Sequence, residues 1–578
     1  MPASARLLPL ALPSALLVAG GLVGDAFTLN EPIARERLVG LCAAAGVSLA
    51  AMPLFERVQR AALVLVPTAV LGVTGMLLIA AIDSPQPLFR GPIGAPLDAV
   101  FRPVFGTIRL SDPVQVTNTR FIVGYNGLAD LCLLVIFACV PLWEGARVMA
   151  RVGLAALITL SLLVLVGSAS RGGLDGFVVG AGVVALVAWP RRRTLLALLA
   201  LPAAAALLAA GLIDKGLELS STTGRFQYWF DLARLLVEYP LTGVGLGVDT
   251  ANRVAVQYEI NPDPERLFYA HNTFVESYLE QGPLGALGML LIPLVALLVL
   301  IAARRCGIVA SRRPLLVAGL GLLAGLEAHG LTDQVVTTNL GTLLVLLGLA
   351  AMLASLDTAG QRLAAYWLHT AARVGAGVAG LLLVGLLVLP SGRAQVLLDF
   401  GGLQMNRGLT LEGERRASTL AGAEALLVGA LAQVPDHPAA LRDLARVRWA
   451  RYDDTGALDA LEQVAASSRL DAFDTLQIAH LYRDMGFVDQ AYAWATRAYS
   501  MWGRPPPDAV LRAYAEQTLP DDYRARTLAD QAEAAMHARA FGDARSLFQQ
   551  ALTFAPGSAY LQDRLAAAER GMSRQNGG

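Results

Sequence analysis

Three short stretches carry the side chains whose types and spacing suit chemistry. "GSASRGGLDG" holds Arg171, "STTGRFQYWFDLARLLVEYPLTGVGLG" holds Arg225, and "YAHNTFVESYLEQGPLG" holds His271, Asn272 and Glu276. A guanidinium grips phosphate oxygens through a planar, permanently charged fork, so Arg171 and Arg225 suit a phosphorylated ligand. An imidazole titrates near neutral pH, so His271 suits proton transfer at a hydroxyl. Glu276 lies five residues past His271 and would orient it only if the chain bends between them, because a regular helix sets the two on different faces.

Each feature also has a plainer reading. Two glycines follow Arg171, which makes its turn tight and its backbone amides reachable, yet the arginine could instead snorkel or pair with Asp175 one turn on. From Gly224 to about Glu238 the apolar residues Phe226, Trp229, Phe230, Ala233 and Leu236 predict an amphipathic helix on the bilayer surface, with Thr222 or Thr223 as cap. Arg225 then sits where the helix dipole disfavours a cation, unless an anion binds there too. "PLTGVGLG" has the glycines of a phosphate loop but neither the lysine of a P-loop nor the order of a dinucleotide fingerprint, and a structural turn fits it better. His329, His369, His437, His480 and His537 are scattered and read as structural. No D-x-D occurs in the loops assigned below to the outside, and "DPE" at 263–265 reads as a solvated turn, so neither metal nor other cofactor is expected. Cys42, Cys132, Cys139 and Cys306 form no C-x-x-C and read as small buried residues.

The elements that must position these groups follow from composition. The 578 residues are 55% hydrophobic and 16% charged, with a mean hydropathy of +0.52, which excludes an ordinary soluble domain and points to a polytopic membrane protein. Zero net charge gives no global field for nucleic acid. About eleven apolar runs are long enough to span, near 7–23, 38–54, 61–82, 121–142, 148–168, 173–189, 194–213, 283–302, 314–330, 339–356 and 372–390. The first resembles a signal peptide, but with so many spans following it reads as uncleaved. Arginines fill alternate loops (Arg57 and Arg60, Arg147 and Arg151, Arg191 to Arg193, Arg304 to Arg313, Arg362), which places those loops and the N-terminus in the cytoplasm. Residues 83–120, the "SASRGG" turn, the long loop 214–282 and "LTDQVVTTN" are then external, and an odd span count sends the C-terminal region outside as well. Within 214–270 there are five Lys or Arg against eight Asp or Glu, so a polyanion site there depends on placed arginines and not on the mean field.

Residues 1–390 therefore read as a transmembrane domain and 391–578 as a second, helical domain. In the latter, Ala423, Leu427, Ala430 and Pro435 share their spacing with Ala544, Phe548, Ala551 and Pro556, and intermediate copies start at Ala457 and Ala491. The 34-residue period resembles tetratricopeptide repeats, an α-solenoid that offers a docking surface for a protein partner.

In this order and topology, "SRGG", "GRFQYW" with "YPLTGVGLG", and "AHNTFVESYLEQGPLG" resemble the O-antigen ligase and O-antigen polymerase superfamily of bacterial membrane glycosyltransferases, over roughly residues 150–356. The resemblance implies an all-α, GT-C-like bundle in the bacterial inner membrane. It implies a metal-independent, inverting transfer of glycan from an undecaprenyl-diphosphate carrier to an acceptor hydroxyl at the periplasmic face. Arg171 and Arg225 would hold the donor diphosphate, His271 would orient or deprotonate the acceptor, and Asn272 and Glu276 would assist in binding. Lipid A core, another lipid-linked glycan and an exported protein remain open as acceptors. A lipid-glycan transporter or flippase is disfavoured because the charges gather at span ends and not at the midplane. A non-catalytic scaffold would leave Arg171, Arg225 and His271 without a purpose.

Overall fold

The computed structural model describes residues 3–57, 60–81, 124–143, 146–168, 170–188, 232–258, 270, 272–331, 338–451, 453–467, 470–485, 487–503, 508–515, 538–554 and 559–576, with scattered positions between 525 and 536. Every regular element among them is helical; one backbone bridge joins Ile308 and Leu356. The chain divides into two compact units, 1–380 and 381–578. Of the expected features, Arg225, His271 and the span near 194–213 lie outside the described residues.

The first unit contains α1 (Ala3–Ala26), α2 (Glu31–Arg57), α3 (Ala62–Ala81), α4 (Gly124–Cys139), α5 (Val148–Ser168), α6 (Arg171–Ala188), α7 (Val248–Gln257), α8 (Thr273–Cys306), α9 (Arg313–Gly330) and α10 (Asn339–Ser355). The long helix α11 (Thr358–Val388) follows. Helices α1, α2, α5, α8 and α11 are each long and apolar enough to cross a membrane, and shorter apolar helices occupy 62–76, 126–142 and 339–355. No residue of the most apolar stretch of α11 is buried against protein, and Leu381, Leu382, Leu383 and Val384 are exposed, as a lipid-facing helix requires.

In hydrocarbon, apolar side chains gain little by leaving lipid, so helices associate where small residues let backbones approach. Between α6 and α9, a Cβ on Gly176 would stand 2.4 Å from the Gly325 carbonyl oxygen, and one on Gly180 would stand 2.6 Å from that of Gly321. Helix α1 runs antiparallel to α8 in the same way, with Gly24 against the Glu280 carbonyl, Gly20 against Gly285, and Leu17 against Gly288.

Two chemically distinct ends result. One gathers the C-termini of α1 and α9 and the N-termini of α2, α4, α6, α8 and α10, through the polar contacts described below. The other carries Arg57, Arg147, Arg304, Arg305, Arg312 and Arg313. There Arg312 Nη1 donates to the Ala354 carbonyl (3.0 Å), and Gln361 Nε2 donates to Glu56 (2.8 Å).

The second unit contains, among the described residues, α12 (Pro390–Thr410), α13 (Gly413–Gln433), α14 (Pro438–Ala450), α15 (Asp454–Ala465), α16 (Ala472–Asp484), α17 (Val488–Met501), α18 (Asp508–Ala515), α19 (Phe541–Phe554) and α20 (Ala559–Asn576). Neighbouring helices pack against one another, α12 on α13, α14 on α15, α16 on α17 and α19 on α20. The small residues at the repeated positions lie at these contacts: Ala423, Leu427 and Ala430 on α13, Ala457 on α15, Ala491 on α17, and Ala544, Phe548 and Ala551 on α19 are all fully buried.

Candidate active site

Arg171 opens α6 and is half-buried. The preceding Ser170 caps the helix, its Oγ accepting from the Gly173 amide (3.1 Å) and donating to Asn126 Oδ1 (2.7 Å) at the start of α4. The glycines after Arg171 form the first turn of the helix, where the Gly173 amide is taken by Ser170. A Cβ on Gly173 would lie 2.5 Å from that of Ala129, so glycine is needed for α6 to meet α4.

Ser170 Oγ also lies 3.4 Å from His329 Nε2 on the last turn of α9, and His329 Nδ1 lies 2.9 Å from Asp130 Oδ1 on α4. All three side chains are buried. Serine, histidine and aspartate thus stand in series, but the serine hydroxyl donates to Asn126 and caps a helix, so it is a brace for the Arg171 turn and not an exposed nucleophile. His329, one of the scattered histidines of the sequence, is in fact next to the "SRGG" motif in space.

Two residues beyond His329, the Leu331 carbonyl accepts from Asn272 Nδ2 (3.2 Å). Asn272 also caps α8, accepting from the amides of Phe274 (3.0 Å) and Val275 (3.2 Å) with an extended backbone (φ −155°, ψ 119°). The chain therefore bends directly after His271. Glu276, fully buried, uses that bend: its Oε2 accepts from the Ala270 amide at 2.7 Å, fixing the backbone beside His271. The C-terminal turn of α9 consequently holds both the residue before Arg171 and the residue after His271.

The "PLTGVGLG" loop is a wedge. The amides of Gly243, Val244 and Leu246 go to the carbonyls of Tyr239 (3.1 Å), Leu279 (2.7 Å) and Gly24 (2.9 Å), so they are spent on structure and not offered to phosphate. The loop enters a kink of α8 at Gly282, where φ is +62°, and a Cβ there would lie 2.8 Å from the Thr242 carbonyl carbon. Gly243, at φ +67°, reciprocates, with the Tyr278 carbonyl oxygen 2.4 Å from where its Cβ would be. Both positions require glycine for conformation and for space. Upstream, residues 232–238 are helical; Leu232, Leu235 and Tyr239 are covered by protein, while Ala233 and Leu236, on the stripe expected to face the bilayer, are half-buried. Protein contact decides this face: the Tyr239 hydroxyl meets that of Tyr258, the residue that caps the C-terminus of α7, at 2.8 Å.

Beneath α8's first turns lies a second buried group that the sequence reading set outside the second span. Helix α2 begins at Glu31, not near 38, and Arg37 on it is fully buried. Its Nη1 donates to Asn339 Oδ1 (3.0 Å) and faces Thr342 Oγ1 (3.4 Å), while its Nε is 3.7 Å from Glu280. The charge is carried into the bundle because α8 and α10 supply the partners that hydrocarbon cannot.

Residues 155–290 match the O-antigen ligase family model. The match runs from within α5 to the first half of α8 and contains Arg171, Arg225 and His271. Over that part of the chain it supports the O-antigen ligase superfamily. No curated protein matches the chain.

Proposed function

We propose that the protein transfers or polymerises glycan from an undecaprenyl-diphosphate-linked donor onto an acceptor hydroxyl at the periplasmic face of the inner membrane. The observation that carries this reading is the convergence of the "SRGG" and "AHN" motifs on the last turn of α9, through Ser170–His329 and Asn272–Leu331. Arginines at the opposite end of the same helices favour a cytoplasmic position for that end, which turns the motif end outward.

In this mechanism the acceptor oxygen forms a bond to the anomeric carbon as that carbon's bond to the diphosphate oxygen breaks, inverting the centre. The leaving diphosphate takes the electron pair, and Arg171 and Arg225 stabilise the charge that develops on it. One preorganised contact of this kind contributes about 3–4 kcal/mol to transition-state binding. His271 accepts the acceptor's proton, a role contributing roughly 10²–10⁴-fold. Asn272 and Glu276 hold the backbone on either side of His271, and no metal is required. The tetratricopeptide-like C-terminal unit recruits a protein partner.

The experiment is transfer in reconstituted membranes supplied with lipid-linked glycan. Arg171→Ala, Arg225→Ala and His271→Ala variants that insert normally lose transfer; near-normal turnover by all three refutes the assignment. New glycan on lipid A core, on another lipid-linked chain or on protein distinguishes ligase, polymerase and O-oligosaccharyltransferase.

A further inference from the structure

The arginine-bearing end of the first unit contains a cleft that glycan transfer does not use. Its volume is about 900 Å³, at the upper end for a small-molecule site. The turn that ends α4 (Cys139, Pro141 and Leu142) contributes to its lining, with Ala62, Val66 and Val70 of α3 on one side and Leu154 and Leu157 of α5 on the other. Among the described lining residues the charged ones are Arg60 and Arg147, both exposed, and Ser311 adds a hydroxyl. Helix α5 runs from the arginine rim of this cleft at Val148 to Ser168, about 30 Å away, and Leu157, its furthest lining residue on α5, is still about 17 Å short of Ser168.

We propose that the cleft holds one acidic phospholipid of the leaflet on the arginine side, its phosphate between Arg60 and Arg147 and an acyl chain along Val66, Val70, Leu154 and Leu157. Three observations select this occupant. The lining is apolar except at one end, which matches an amphiphile with a single charged head and gives a free phosphate ion nothing beyond the rim. The charged groups are guanidiniums, which bind phosphate in bidentate fashion and stay ionised at an interface. Val66 and Val70, which line the cleft, and Val152 close by on α5 are exposed, so apolar side chains border its opening as an acyl chain requires. Basic pockets between helices on the cytoplasmic side bind acidic headgroups for this reason. The inference does not depend on the glycan-transfer reading.

The test is native mass spectrometry of the full chain released from nanodiscs of mixed phosphatidylcholine and phosphatidylglycerol. The wild type retains one phosphatidylglycerol in preference to phosphatidylcholine. Arg60→Gln with Arg147→Gln lowers that retention roughly 30-fold, each surface arginine contributing on the order of five-fold. Gly153→Phe tests the tail site separately: Gly153 lines the cleft and an added Cβ meets nothing within 4 Å, so the ring has room to enter the path of the acyl chain and lowers retention of the lipid. Arg151→Gln, at the same end but not lining the cleft, keeps the lipid. Equal retention of phosphatidylcholine, displacement by inorganic phosphate alone, or undiminished retention in both the double variant and Gly153→Phe would overturn the proposal.

Discussion

The Asp130–His329–Ser170 series gives the sharpest prediction, because its geometry is tight and its members lie on three helices. His329→Ala removes the 2.9 Å contact to Asp130 and the 3.4 Å contact to Ser170 at once. A hydrogen bond to a charged group contributes about 1.5–3 kcal/mol net, and stranding a buried charge by deleting its partner raises the loss to about 3–5 kcal/mol. Asp130→Asn is milder, since the amide oxygen still accepts from Nδ1 and only the charge is lost, at about 1–2 kcal/mol. With both changes made, the stranded carboxylate no longer exists, so the double variant is no less stable than His329→Ala alone, and the coupling is at least the cost of Asp130→Asn, about 1–2 kcal/mol. Reversible unfolding in mixed dodecylmaltoside and SDS micelles reads this cycle. The same variants have a catalytic readout. Ser170 fixes the turn carrying Arg171, and a displacement of about 1 Å at a reacting group can cost up to 10²-fold in rate. His329→Ala that remains folded is expected to lower kcat roughly 10- to 100-fold with little change in acceptor KM. A coupling below about 0.5 kcal/mol together with an unchanged kcat would refute the reasoning, for the three residues would then be neighbours without a shared task.

Other outcomes follow from single contacts. Glu276→Gln keeps an acceptor for the Ala270 amide but removes its charge, so transfer should fall about tenfold at nearly unchanged stability, measured as initial rate beside a thermal melt. Gly282→Ala forces a Cβ into the Thr242 backbone at φ +62° and should destabilise by more than 1 kcal/mol, seen as a lowered melting temperature. Arg37→Met alone should cost about 3–5 kcal/mol, and adding Glu280→Leu should restore most of it, as an apolar pair of similar volume replaces the buried ions.

What the sequence made legible was set by local signals. Apolar length placed α5 at 148–168 to the residue, because a span must carry enough apolar residues to cross the bilayer. The bend after His271 was legible only as a condition, and Asn272 supplies it by capping. What escaped were pairings over long separations. Asp130 and His329 stand 199 residues apart, and Arg37 and Asn339 stand 302 apart, so no periodicity within one helix marks them. A signal was nevertheless present: Asp130 in "GLADLCLL" and His329 in "LEAHG" are ionisable groups inside apolar runs, where hydrocarbon tolerates them only with partners. The stripe through Ala233 and Leu236 and the protein-covered side through Leu232 and Leu235 are different faces of one helix, because periodicity locates an apolar side without saying whether lipid or protein covers it.

The burial of Arg37 constrains the order in which the bundle can be completed. Helix α2 leaves the ribosome early, whereas Asn339 follows 302 residues later, an interval of roughly 15–60 s at ordinary rates of synthesis. Until then the guanidinium must stay at the water interface, since entering the bilayer centre alone costs about 2.5–3.5 kcal/mol. Helix α2 should therefore sink to its final depth late, drawn in by helices not yet made when it was first inserted. Nascent chains arrested before α8 should leave position 37 reachable by water-soluble reagents, and full-length chains should shield it.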